Sequence, residues 1–368
     1  MLEMKSRTSS LRLTGAVTLV VVGVALGWWW YSSMVDKPSR STEQFILKHM
    51  TNSNGTLASY LQADTSEHPD IPAGREALSE SLGLWMEYAV MKEDQQLFES
   101  GYRVLIDRFL NDQKYVTWKL EPDGSSTVNT NALGDDFRII RALLGASNLW
   151  EQEGGAYEQT AEVISKTLHE QIRNNGYFVD FNDFKHSYVP DTLSLVYVDT
   201  VALRGMRDKG WIEQAEYNQY EQMLLTVPED GPFFPRTFNV LSGEYQYADE
   251  VNLIDQLIVG IHMVEAGRRP DALIEFMKRE FAEHGVLKGR YAAGTLQAQV
   301  DYESPAVYGL AILLALDMDD RPWAEQLYAR MITFRMNHGT YAGGYVFDQN
   351  THMFDNLLPL LAERALGK

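Results

Sequence analysis

Twelve stretches with the 3.6-residue spacing of amphipathic helices run through residues 43–366, and the connections between them alternate between short and long. The spans are 43–63, 74–91, 93–110, 131–150, 156–173, 190–208, 211–225, 245–266, 270–284, 302–316, 321–336 and 351–366, with no strand alternation between them. Connections after the second, fourth, sixth, eighth and tenth stretches are short, and the others are several times longer. A short turn makes consecutive helices antiparallel neighbours. The chain therefore reads as six helical hairpins closed into a toroid, an all-α (α/α)6 barrel. The long loops then open on one face, and the even-numbered helices form the inner ring with their N-termini at that face. No fixed-period repeat points to a solenoid instead. Long loops in a compact domain are usually functional, so the open face is the expected site.

A different segment precedes the barrel. Lys5, Arg7 and Arg12 lie in a basic tail (1–12), followed by a stretch without charge from Leu13 to Val35. About 20 apolar residues span a bilayer as a helix. The run Trp28, Trp29, Trp30, Tyr31 suits an interfacial aromatic belt, and the basic tail suits a cytoplasmic end. Residues 13–35 read as a transmembrane signal anchor, 36–42 as a polar linker and 43–368 as the catalytic domain. A single-pass cell-membrane protein with an extracellular barrel is expected, or a secreted one if the anchor is cleaved.

Charge and composition narrow the chemistry. The 32 basic and 51 acidic residues leave a net charge of −19, which argues against a nucleic-acid partner. The chain has no cysteine, which excludes disulfides, thiolate catalysis, cysteine zinc sites and lipidation at a cysteine. HExxH, a phosphate loop, a G-x-S-x-G elbow and close histidine spacing are all missing, so no metal and no cofactor are expected.

Carboxylates gather near the starts of the inner helices: Glu80, Asp135 and Asp136, Asp191, Asp249 and Glu250, Glu303, and Asp355. Each alone has the ordinary explanation of capping a helix or matching its dipole. Glu80 escapes it, being about two turns past Pro72 on a helix read from residue 74. Ser79, Ser81 and Gly83 would leave room for a ligand beside it. The long loops supply aromatics such as Tyr115, Trp118, Tyr177, Phe181, Tyr188 and Tyr247. Carboxylates in an aromatic cleft are the tools of glycoside hydrolysis, in which one protonated carboxyl serves the leaving oxygen and an ionised one activates water or attacks.

Here the residues resemble a family. The segment "SESLGLWM" (Ser79–Met86) is similar to the Ser-Glu-Gly-x-Gly-Tyr-x-Met signature of glycoside hydrolase family 8, with Ser79, Glu80, Gly83 and Met86 in register and Ser81 and Trp85 departing from it. "NALGDDFRIIRALL" resembles the second family segment through Ala132, Asp136, Ile139, Ala142, Leu143 and Leu144, while Gly134 and Arg138 replace its flanking aspartates. In "YQYADEVNLIDQL", Tyr247, Ala248 and Asp249 have the residue types of the third segment in another order, with no Arg following. The resemblance implies an (α/α)6 barrel acting on β-linked glycans with inversion. Glu80 would be the proton donor, Asp136 the sugar-binding carboxylate at the cleavage subsite, and Asp249 the base, with Glu250 and Asp255 as alternatives. Asp255 is expected further down the helix, away from the open face. Asp135, Trp85, Trp118, Tyr188, Tyr247, Glu250, Asp255 and Glu303 complete the expected substrate contacts. The layout looks most like members that accompany bacterial exopolysaccharide systems, which makes the cell's own exopolysaccharide the expected substrate and its synthesis machinery a candidate partner. Two other readings stay open. One is a glycan-binding or export accessory that has lost its base. The other is a polysaccharide lyase using His186, Tyr188, Arg236 and Tyr245.

Overall fold

The computed structural model describes residues 38–64 and 71–368. Among the described residues twelve α-helices follow one another: α1 Pro38–His49, α2 Ser79–Lys92, α3 Gln95–Val104, α4 Leu133–Leu149, α5 Glu151–Gln171, α6 Thr200–Asp208, α7 Gln214–Leu225, α8 Leu253–Glu265, α9 Asp271–His284, α10 Pro305–Asp317, α11 Arg321–Met331 and α12 Phe354–Leu366. A π-helical turn, Leu105–Phe109, continues α3, and a 3-10 turn, Ile332–Phe334, continues α11. Each even helix packs on the next even helix: α2 on α4, α4 on α6, α6 on α8, α8 on α10, α10 on α12 and α12 back on α2. This closed inner ring is wrapped by the odd helices: α3, α5, α7, α9 and α11 each follow an even helix through a short turn, and α1 packs on α12. The sequence-read helical toroid is therefore the observed fold, an (α/α)6 barrel.

The inner position is written into composition. Helix α10 carries PAVYGLAILLALD and is buried on nearly all sides, as expected of a helix with neighbours all round. Close approach sets one residue outright: a Cβ at Gly309 would overlap the backbone of Leu358 and Pro359 in α12, which cannot yield like a side-chain tip.

The long connections are not structureless. Among the described residues they hold nine strands of two or three residues: β1 Ala77–Leu78, β2 Lys119–Leu120, β3 Arg173–Asn174, β4 Tyr177–Phe178, β5 Thr192–Ser194, β6 Thr237–Asn239, β7 Glu244–Gln246, β8 Glu250–Asn252 and β9 Arg290–Ala292. They pair antiparallel as β1–β2, β3–β4, β5–β6–β7 and β8–β9. Strands this short carry too little alternation to be read from sequence.

Several boundaries differ from the sequence reading. Helix α1 begins at Pro38, inside the stretch read as linker, and ends at His49 instead of residue 63. Asn52, Asn54 and Gly55 form a turn there, with Gly55 at φ +87°, and turn chemistry outweighs the apolar spacing. Helix α2 begins at Ser79, so Glu80 lies in its first turn and not two turns in. Helix α8 begins at Leu253, because residues 244–246 and 250–252 are strands. The proposed membrane segment 13–35 lies outside the described residues. Among the described residues, no helix is long and apolar enough to cross a membrane.

Candidate active site

Pairing of β1 with β2 joins Ala77 to Leu120 and Leu78 to Lys119, fixing the chain where it enters α2. The Ser79 N–H then donates to the Trp118 carbonyl at 3.0 Å. Helices α2 and α4 have no side-chain N-cap of their own. The Asp135 carboxylate on α4 instead takes up the start of α2, accepting from Ser79 Oγ at 2.5 Å and from the Glu80 backbone N–H. One acidic side chain thus binds the first turn of its neighbour and brings Glu80 and Asp135 together.

Arg138, one turn along α4, lies between the carboxylates. Its guanidinium is 3.5 Å from Glu80 Oε1, 3.9 Å from Asp135 Oδ1 and 3.8 Å from Glu87 Oε2. Gly83 lets this side chain cross, since a Cβ there would sit 3.1 Å from the Arg138 chain. The small residues beside Glu80 therefore have another use than the expected one. Gly83 admits Arg138, while Ser79 and Ser81 are buried. Across the site, Tyr197 lies over the start of α4, where a Cβ at Gly134 would overlap its ring.

The electrostatics of the pair are unusual. The Glu80 side chain is 29% exposed, yet its carboxyl is pushed up to about 8, by burial first and then by the charges of Asp135 and Asp255 against the opposing pull of Arg138. Asp135 is raised to about 6 by burial, with Arg138 and Ser79 opposing. Glu80 is therefore held protonated near neutral pH by a site that keeps a counter-charge close. Asp255, in the first turn of α8, is also raised by burial, with Arg236 and Arg290 favouring its ionised form.

The other expected residues separate into those near the site and those elsewhere. Asp136 is 1% exposed and accepts from Asn131 Nδ2 at 2.6 Å, so Asp135, and not Asp136, meets the Glu80 turn. Adjacent residues on a helix point about 100° apart, and the first-turn phase decides which one faces the axis. Trp85 is buried against Tyr88 in the core and contacts no cleft. Glu303 is bound by both Arg330 nitrogens at 2.9 and 2.6 Å and by Tyr308, a structural role. Asp355 caps α10, accepting from Ser304 Oγ and the Ala306 N–H, and Asp191 accepts from Asn239. Glu250 is exposed in β8 and paired with Arg290 at 2.8 Å, and Asp249 is exposed beside it. Trp118 stays half-buried next to Ser79, while Tyr188 and Tyr247 project from the loops at 55% and 53% exposure. Most other loop aromatics anchor their loops, as Tyr115 does by stacking on Phe184 at 3.7 Å. Sequence reasoning missed Arg138 as a site residue and Tyr197 altogether. Arg138 was visible as a departure from the family pattern, but Tyr197 carried no signal.

Among the described residues, two groups bring carboxylates and a histidine within reach of one ion. In Asp199, His262 and Glu265, Arg141 already pairs with Glu265 at 2.6 Å and approaches Asp199 at 3.7 Å. The other group, Glu280, Glu283 and His284, lies along one partly exposed helix end.

A double ring of helices with carboxylates gathered at the N-terminal ends of the inner ring is the architecture of a helical-barrel glycosidase. Comparison with known proteins gives the family. The model described as Glycosyl hydrolases family 8 matches residues 20–179. The Bacillus subtilis (strain 168) protein named "Putative lipoprotein YdaJ" is 38% identical over 332 residues, covering 89% of this chain and 87% of that one. A structure described as a novel alpha-amylase from Clostridium perfringens is 25% identical with a TM-score of 0.80, covering 89% of this chain and 97% of the other. The endo-beta-1,4-glucanase CMCax from Acetobacter xylinum shares the fold at 17% identity and a TM-score of 0.62, covering 90% and 98%. The chain belongs to glycosyl hydrolase family 8 and is a glycoside hydrolase.

Proposed function

We propose that this protein is an inverting endo-glycosidase of a β-linked polysaccharide, with Glu80 as general acid and Asp255 as general base. One observation carries the pairing: of the three carboxylates in the third segment, Asp255 is the one whose charge is felt among the main influences on the Glu80 carboxyl. It also sits in the first turn of an inner helix, whereas Glu250 is neutralised by Arg290 on the surface. The protonated Glu80 donates to the leaving glycosidic oxygen. Ionised Asp255 takes a proton from a water that attacks the anomeric carbon from the opposite face, so the configuration inverts. Asp135 and Tyr197 border the acid, and Trp118, Tyr188 and Tyr247 offer faces for sugar rings. The β-linkage follows the family resemblance and the β-glucanase neighbour.

Residues 13–35 support a signal anchor that holds the barrel outside the membrane. YdaJ, named a lipoprotein, is similar over most of the chain, but this sequence has no cysteine to lipidate, so the apolar segment would anchor it. The cell's own exopolysaccharide is the expected substrate, with its synthesis machinery as partner. Membrane fractionation of the full chain checks the anchor, which fails if the protein is recovered only in the soluble fraction.

The deciding experiment measures reducing ends released from the producer's exopolysaccharide, a mixed-linkage β-glucan and starch. Release from a β-glycan is expected, with β-to-α inversion of the new end by NMR. E80Q and D255N should each lower kcat/KM by about 10²–10⁴, while D249N changes it by about twofold or less, as an exposed substitution does. Release from starch alone would sink the β-linkage. An unaffected D255N would remove the base.

A further inference from the structure

A cavity lined by the inner helices begins at Glu80 and does not include Asp255. About 630 Å³ of space runs down the barrel axis behind Glu80. It is lined on α4 from Gly134 to Asn148, a rise of about 21 Å at 1.5 Å per residue. Its near end holds Glu80 and Tyr197, and its far end holds Met91, Asn148, Asp208 and Asp317, all exposed on the opposite face. Arg141, midway down, is 34% exposed although it lies inside the barrel, so a water-sized sphere reaches it. Charged groups follow the wall: Arg138 spans Glu80 and Glu87, Arg141 spans Glu87 (3.2 Å) and Glu265 (2.6 Å), and Glu265 meets His262 Nδ1 at 3.0 Å.

We propose that this axial passage is a water-filled route by which Glu80 is reprotonated from the far face while a glycan covers the open face. The inference rests on Glu80 being the acid. Each inverting turnover leaves Glu80 as a carboxylate and puts the proton of the attacking water on the base. Resetting needs one proton to leave the base towards solvent and one to reach Glu80. A polymer lying over the loops obstructs the second transfer from its own side. Through the passage, a hydronium entering between Asp208 and Asp317 hands its proton along waters to Glu80, and the charge of the solution is unchanged over the cycle. Glu87 and Asp317 flank that path, and burial raises both, Asp317 to about 6, so Asp317 can exchange protons near neutral pH. The guanidinium groups hold the water and carboxylates in line and do not themselves titrate.

The absence of cysteine makes a direct test simple. Leu313 lines the passage on α10, is half-buried and belongs to none of the charged pairs. In full-length L313C, methyl methanethiosulfonate should label the thiol of the folded protein, and benzyl methanethiosulfonate should then plug the bore. On a hydrolysed β-glucan, the benzyl adduct should lower kcat about fivefold or more and leave KM within about twofold, as proton return becomes limiting. The solvent deuterium isotope effect on kcat should rise with it, and the methyl adduct should do much less. An unreactive thiol in the folded protein overturns the passage. A benzyl adduct that leaves kcat unchanged, or lowers it without raising the isotope effect, overturns the proton route. Labelling is read without substrate, so an open passage in a protein that hydrolyses no glycan would locate the failure in the glycosidase reading and take the reprotonation role with it.

Discussion

At the scale of single residues, the site is a matter of which carboxyl keeps its proton. Glu80 stays protonated to about 8 because burial and two neighbouring carboxylates outweigh Arg138. The alkaline limb of kcat/KM should therefore fall near pH 8, and R138M should move it upward, because a cation that favours ionised Glu80 is gone. A limb that moves down in R138M would contradict this assignment. The same shift has a stability sign. Between its ordinary value of 4.5 and its folded value of about 8, Glu80 binds its proton more tightly in the native state than in the unfolded one, so its contribution to stability is lost as pH rises through that window. E80Q should lose less stability than the wild type between pH 4.5 and 8, measured by urea midpoints at both ends. The residue-level reading was uneven. Glu80 stood out as a candidate because a carboxylate among core residues is costly without a purpose. That Asp135 and not Asp136 meets the Glu80 turn was not recoverable, because it depends on helix phase to within one residue.

At the scale of elements, the starts of the inner helices matter more than their middles. The run 245–266 has the apolar spacing of one helix, but its first part pairs as strands: Thr237 with Gln246, and Asn252 with Arg290. Helix α8 is therefore short, capped by Asn252 on the Ile254 N–H at 3.0 Å, and Asp255 moves from an expected mid-helix position to the first turn. This one boundary shift exchanges the expected and the proposed base. Trp85 shows the converse limit, since a motif position beside the acid can still face outward into the core. The middles of the helices answer to packing. G309A forces a methyl into the α12 backbone at Leu358 and Pro359, and should cost about 1–3 kcal/mol of stability. Thermal denaturation checks it, and an unchanged melting temperature would mean that α10 and α12 can part more easily than their contact suggests.

At the scale of the whole molecule, closure of the ring is what creates both the open face and the axial passage. The seam is held by a buried carboxylate. Glu363 of α12 accepts from Thr42 of α1 at 2.9 Å and from Tyr345 at 2.7 Å, with Arg335 at 3.7 Å. E363A removes a buried carboxylate that Tyr345, Thr42 and Arg335 converge on and should cost about 3–5 kcal/mol, read as a drop in the urea midpoint. A loss below about 1 kcal/mol, the level of a surface pair, would show that the seam does not rely on it. The sequence by itself determined the helical hairpins, the alternation of their connections and the fold that follows, and it singled out Glu80 as the candidate acid, because these rest on periodicity, loop length and one unexpected carboxylate, all local in the chain. The tertiary structure alone supplied the carboxylate proposed as partner of that acid, the place of Arg138 between three carboxylates, and the cavity beneath them. Those depend on which helix faces meet across the barrel axis, and residues such as Glu80 and Asp255, far apart in the chain, acquire a common electric field only when the ring closes.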